Sequence, residues 1–384
     1  MLTLIENADV FDPQPRGKAS ILLSENRILK IGEVDRRAVE NLGIELEYLD
    51  ATDCIVTPGF IDPHQHLLGG SGEKGFASQT PEIYPNEIIQ AGITTVVGCL
   101  GVDTTMKTLA GLLAKAKALN EEGISAFIWS GGYNVPPTTI SGTIRNDILF
   151  IREVIGAGEI AISDERAMNP QPHELAQVVT DAYVGGMLSK KAGITHFHVG
   201  EGEKRLEILR TLIEEFEISP EWLYPTHIER SEKLMLEAIE LNKRGSFVDI
   251  DTVEEDLSKW LKFYLENGGN PEKLTVSSDA SITSPKAFFE QIMGCLRENK
   301  IPLEKVLSLV TANTSKVLKL ERKGFLRAGN EADVLVLRKD GFEIKDVIAG
   351  GRRILKNGRI VLKEKFLEES NRQIRLEGNA ESKQ

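Results

Sequence analysis

The chain has 384 residues, 41% hydrophobic and 27% charged, with a formal net charge of −12. This is a globular composition, and its acidity disfavours nucleic acid and anionic membrane as partners. The length exceeds that of most single compact domains and suits one barrel with an appendage.

The opening stretch, "MLTLIENADVFDPQ", lacks a basic segment followed by an apolar one, so no signal peptide is expected. No apolar run approaches the roughly 18 residues needed to span a bilayer. Cys54, Cys99 and Cys295 fit neither a zinc ribbon nor a disulfide framework, and so point to a reducing, cytoplasmic setting.

Residues 1–53 carry "LTLIENADVF", "ASILLSENRILKIG" and "IELEYLD", which read as antiparallel strands with turns. Eight short apolar, β-branched runs follow. They are "CIVTPGF" (54–60), "ITTVVGCLG" (93–101), "SAFIWSGG" (125–132), "EIAIS" (159–163), "THFHVG" (195–200), "LYPTH" (223–227), "SFVDIDT" (246–252) and "LTVSSDAS" (274–281). Between them lie amphipathic stretches such as "TLAGLLAKAKALNEEG" and "EKLMLEAIELNKRG", with apolar residues at helical spacing. This alternation predicts an α/β fold, a (β/α)8 TIM barrel over 54–329. Residues 330–362 return to strand patterns, and the charged tail after Leu362 reads as a short helix or as disordered. The two β-rich ends, 1–53 and 330–384, are expected to form one small β-sandwich domain, since chain termini often lie close together.

Active sites of such barrels form at the carboxyl ends of the strands. Six histidines are present in all, and two of them, His64 and His66, end the first predicted strand. Side chains two apart on a strand share a face. His196 and His198 end the fifth strand, His227 the sixth and Asp279 the eighth. Imidazole and carboxylate suit zinc and its neighbours. One histidine at a strand end is commonly just a satisfied polar residue, but four strand ends agreeing point to a metal centre. His196 is expected one layer below His198, as a core residue, and His173 at a helix N-terminus on the surface.

The motifs "PGFIDPHQH", "HFHVG", "PTHIER", "SSD" and "GNEADVLVL" resemble the amidohydrolase superfamily. Within it, "HLLGGSGE", "AGITTVVGCLG", "SGGYNVP", "AISDER" and "THIER" closely resemble the isoaspartyl dipeptidases, over nearly the entire chain. That resemblance implies two zinc ions per subunit. His64, His66 and Asp279 would hold one and His198 and His227 the other. The family bridges them with a strand-four lysine carbamylated by CO2. Here the corresponding residue is Glu159. A glutamate supplies the same charge and the same pair of oxygens to metals about 3.5–4 Å apart, so a direct Glu159 bridge is expected, with Asp164 and Glu165 as weaker candidates.

The implied reaction is hydrolysis of a β-linked aspartyl amide by a metal-bridging hydroxide, with Asp279 as general base and then acid. Tyr133 would be the donor to the oxyanion. For substrate binding, Glu73 suits the ammonium, and Arg166 and Arg230 suit carboxylate. The "GGSG" loop (69–72), with Ser71 and Gly72, would offer backbone amides, and Thr283 a hydroxyl. Val102 stands where a threonine is expected and Ser71 where a glycine is, which could shift activity toward a related β-linked or N-acyl amino acid. Competing readings are a D-aminoacylase-like or dihydroorotase-like hydrolase, or a metal-free scaffold. The resemblance also implies a homo-oligomer, up to an octamer.

Overall fold

The computed structural model describes residues 1–70, 72–254, 256–298 and 300–371. Ser71 and the tail from residue 372 therefore lie outside the described residues. Five strands open the chain: β1 (Leu2–Asp12), β2 (Gln14–Ser24), β3 (Arg27–Gly32), β4 (Leu46–Asp50) and β5 (Cys54–Pro58). Eight more follow in the middle: β6 (Phe60–Gln65), β7 (Ile93–Gly98), β8 (Ser125–Ser130), β9 (Val154–Ile162), β10 (Thr195–Val199), β11 (Leu223–Thr226), β12 (Val248–Ile250) and β13 (Leu274–Val276). The chain returns through β14 (Val334–Arg338), β15 (Ile344–Ala349), β16 (Arg352–Lys356) and β17 (Arg359–Ile360).

The middle strands build a TIM-barrel type of core. β6 to β11 pair side by side in parallel, and β12 and β13 form a second parallel pair. The ring closes where Gln65 bridges Ala280 and the amide of Asp279 donates to the carbonyl of His64 at 3.1 Å. Strands wrapped by helices are buried on both faces, and β6, β7 and β9 are buried along their whole length. The helix Leu109–Glu122 shows how the outer layer is set. Thr108 caps it by accepting from the Gly111 amide, and Gly123, at φ +98, ends it in the left-handed region. Leu109, Leu112, Ala116 and Leu119 fall on its inner face, and each fully buried leucine contributes about 1.5–3 kcal/mol.

Strands from both chain ends share one nine-stranded sheet. β5 lies between β1 and β14, parallel to the first and antiparallel to the second. The run 54–60 is thus two strands rather than the single first barrel strand expected. Its first five residues pair in the terminal sheet, and the chain turns at Gly59, where a Cβ would stand 2.3 Å from the Thr94 hydroxyl. β9 also begins at Val154, five residues before the expected start. Its glycines, in "VIGAGEI", had hidden the strand.

Candidate metal centre and substrate cleft

Four imidazoles and two carboxylates converge at the carboxyl ends of the barrel strands. Asp279 Oδ1 lies 3.2 Å from His64 Nε2 and 3.0 Å from His66 Nε2. Glu159 is fully buried and reaches both halves of the cluster. Its Oε1 lies 3.5 Å from His66 Nε2, while Oε2 lies 3.6 Å from His64 Nε2, 3.2 Å from His198 Nδ1 and 3.7 Å from His227 Nε2. His64, His227 and Asp279 form one group whose ligand atoms could hold a metal, and Glu159, His198 and His227 form another.

Glu159 is aimed inward by a bulge in β9. Across β10, Thr195 faces Ala157 but Phe197 faces Ile160, so β9 fits one extra residue there. Gly158, at φ +148, makes this possible, because a Cβ there would stand 2.8 Å from the His196 carbonyl oxygen. His227 and Asp279 also have left-handed backbones, at φ +62 and +44, which turn their side chains into the mouth as their strands end.

Each ligand ring is held from behind by a different partner. His196 Nδ1 lies 3.0 Å from the Tyr224 carbonyl, which can only accept, so Nδ1 carries the proton. Its Nε2 must then accept from His64 Nδ1 at 2.9 Å, which leaves His64 Nε2 as the atom that faces the cluster. Trp129 stacks on His196 with ring centroids 5.1 Å apart and fixes its plane. His66 Nδ1 has Cys99 Sγ at 3.9 Å, His198 Nε2 has Asp164 at 3.0 Å, and His227 Nδ1 has Asp251 at 2.5 Å. His196 is therefore the core residue expected, but one that sets a neighbour's tautomer. Asp251 and Cys99 went unnoticed in the sequence; their signal is a place at the end of a barrel strand.

The electrostatics follow from this crowding. Burial disfavours charge on His64 and His66, yet Cys99 and the carboxylates outweigh it and hold both rings well above the usual imidazole range. Burial likewise opposes ionisation of Glu159, but His64 and the other imidazoles keep its carboxyl well below its ordinary value. His227 is lowered by burial and raised further by Asp251, to about 9. His198 is lowered, chiefly by burial. The two carboxylates demand positive charge at this point of the barrel mouth.

Beside the cluster opens a cleft of about 480 Å³. Of the expected substrate residues, Glu73, Val102, Tyr133, Arg166 and Arg230 line it. Tyr133 is buried, with its hydroxyl 2.9 Å from His198 Nδ1. Gly72 and Thr283 are not on the lining, which instead includes Gly69, Gly70, Ser281 and Lys107. Ser281, two residues before Thr283, brings a hydroxyl to the lining beside Gly70. Arg166 is not free. It grips Asp164 with two nitrogens, at 2.9 and 2.7 Å, and Glu73 with a third at 2.7 Å.

Residues 55–354 match the amidohydrolase family, and the chain belongs to it. A β-aspartyl dipeptidase from Fervidobacterium islandicum, solved with β-Asp-Leu, has a similar structure, with a TM-score of 0.89 at 39% identity over 94% of this chain and 97% of that one. Within the amidohydrolases the chain groups with these dipeptidases. A dihydroorotase from Clostridium acetobutylicum is 31% identical over 172 residues, 43% of this chain, and the chain spans only 36% of that protein's length. An atrazine chlorohydrolase from Arthrobacter aurescens, with a TM-score of 0.64 at 15% identity over 96% of this chain and 98% of that one, shares the fold.

Proposed function

We propose that the chain hydrolyses β-aspartyl (isoaspartyl) dipeptides with two zinc ions, held by His64, His66 and Asp279 on one side, His198 and His227 on the other, and Glu159 between them. The observation that carries this reading is a set of buried atoms with no hydrogen bond among the described residues: His64 Nε2, Glu159 Oε1 and Asp279 Oδ1. Orphaned polar atoms at such depth are costly, and Asp279 Oδ1 sits within ion-pair distance of two imidazole nitrogens, at 3.2 and 3.0 Å, with no hydrogen bond to either. Donors that face one another this way fit a shared cation. The chemistry of the set, imidazole plus carboxylate, fits zinc. Glu159 in a bridging place is supported by its two oxygens, which face different imidazoles.

Bound zinc supplies a water that ionises near neutral pH and polarises the amide carbonyl. The chain's own residues do the rest. Asp279 takes the proton from the attacking water and passes it to the leaving amine. Tyr133, buried and beside His198, donates to the oxygen on which charge develops. Glu73 receives the substrate ammonium, and Arg230 a carboxylate.

The same reading treats 1–53 and 330–384 as one small β-sandwich domain and 54–329 as the barrel, supported by the sheet that both ends share. It takes the enzyme as a cytoplasmic homo-oligomer, for which three buried cysteines outside any disulfide are in keeping with a reducing compartment. No helix among the described residues is long and apolar enough to cross a membrane.

The test is hydrolysis of β-Asp-Leu by protein prepared without added bicarbonate, with metal content measured alongside. The expected result is turnover with two metals per chain, and none of dihydroorotate or N-acyl-D-amino acids. Glu159→Ala should lose metal and rate together; full metal content in that variant rejects the bridge.

A further inference from the structure

An isoaspartyl dipeptide brings two carboxylates and one ammonium into the cleft, and the structure leaves few groups to meet the second carboxylate. Two amides of the glycine loop are already engaged: Gly69 donates to the His66 carbonyl at 2.8 Å and Gly70 to the Thr80 hydroxyl at 2.8 Å. Val102 has no hydroxyl to offer. Arg166 carries two carboxylate partners of its own, at 2.7 Å each, in Asp164 and Glu73. Arg230 is the freer guanidinium, its one ion-pair partner among the described residues being the exposed Glu201 at 3.9 Å. That accounts for one carboxylate.

Two lysines remain on the cleft lining: Lys74, which is exposed, and Lys107, which is half-buried. The Lys107 ammonium donates to the carbonyl of Leu68, at the base of the glycine loop, at 2.5 Å. It forms no ion pair with a carboxylate among the described residues. An ammonium has three donors, so a bond to one carbonyl leaves two for a ligand. The carbonyl also anchors the long side chain at the wall, reducing the entropy lost on binding.

We propose that Lys107 is a specificity-determining residue that receives one of the two substrate carboxylates, with Arg230 receiving the other. This rests on the functional reading above. Lys107 compensates for the hydroxyl missing at Val102, on the same loop after β7, and favours doubly anionic substrates over neutral β-linked amides.

The test compares wild type, Lys107→Met and Lys107→Arg on β-Asp-Leu. Two competitive inhibitors are included, each lacking one carboxylate: β-Ala-Leu without the aspartyl one and β-Asp-Leu amide without the C-terminal one. Loss of one charged hydrogen bond should raise KM for β-Asp-Leu in Lys107→Met about 10- to 100-fold. Metal content should be unchanged and kcat within about threefold, with Lys107→Arg recovering most of the loss. The penalty should vanish for whichever compound lacks the carboxylate that Lys107 meets. An equal penalty on all three compounds, an unchanged KM, or a fall in kcat with lost metal overturns the proposal. Wild type inert toward β-Asp-Leu overturns the functional reading and takes the proposal with it. An active wild type with an unaffected variant overturns the role of Lys107 alone.

Discussion

His64 and His196 show how far a single residue's role depends on its neighbour's proton. The Tyr224 carbonyl can only accept, so His196 must carry its proton on Nδ1, and this in turn fixes which nitrogen of His64 donates to it and which faces the cluster. Partners behind metal ligands typically govern affinity by about 10- to 100-fold. His196→Phe keeps a ring between Trp129 and Tyr224 but gives His64 Nδ1 nothing to donate to. It should therefore retain less metal against a competing chelator, by about that factor, and lose about 1–3 kcal/mol of stability as the buried His64 N–H is left without an acceptor. Chelator resistance equal to wild type would remove His196 from any such role. Asp251 behind His227 acts in the same sense but through charge, since it raises that imidazole to about 9 while His196 leaves His64 a neutral partner.

At the scale of one strand, β9 decides where Glu159 points. Its bulge depends on Gly158, whose missing side chain lets β9 pass within contact distance of His196. Gly158→Ala puts a methyl 2.8 Å from both the Cβ and the carbonyl oxygen of His196, at a φ that side chains rarely adopt. Overpacking and backbone strain together should cost about 2–4 kcal/mol, and metal content should fall as Glu159 is displaced. Denaturant unfolding and metal analysis check both; wild-type values in each would mean the bulge does not position the bridge. This strand also marks the limit of what the sequence discloses. The barrel was legible because parallel strands buried on both faces appear as apolar runs. His64, His66, His198, His227 and Asp279 stood out because each ends such a run. The start of β9 and the break at Gly59 were not, since glycine carries no hydrophobic signal and marks close approach only once the neighbour is known. Lys107 and Ser281 were equally silent: their place on the cleft arises from loops that meet across the mouth, far apart in the chain. Arg166 was visible, but its engagement by Asp164 was not.

At the scale of the molecule, the barrel and the terminal sheet are joined by a buried ion cluster on the face opposite the cleft. Lys323, only 5% exposed, donates to the hydroxyl of Ser125 at the start of β8, at 2.9 Å. It also pairs with Asp333, just before β14, and with Glu331 at 2.7 Å. Asp333 in turn accepts from the Gly350 amide at the end of β15, so one ammonium links a barrel strand to two strands of the sheet. Burial lowers the Lys323 ammonium, but Asp333 and Glu331 more than offset it and its pKa is raised. Burial raises the Glu331 carboxyl, but Lys323 outweighs that and its pKa is lowered. A raised lysine stabilises below its unfolded pKa of about 10.4, and that contribution is lost as pH climbs through the folded value. A lowered glutamate stabilises above its unfolded pKa of about 4.3, and that part is lost as pH falls through the folded value. The cluster should thus support the fold across the neutral range and release it at both extremes. Lys323→Met removes the cation, leaving Asp333 buried without it and Glu331 with only the more distant Arg27 and Arg322, which should cost about 3 kcal/mol at pH 7. The difference should shrink toward acid pH, where Glu331 takes up a proton and the contribution of its pairing with Lys323 is lost from wild type. Melting curves of wild type and variant from pH 3 to 10 read this directly. A constant gap between them across that range would mean that the charges are not what joins barrel to sheet.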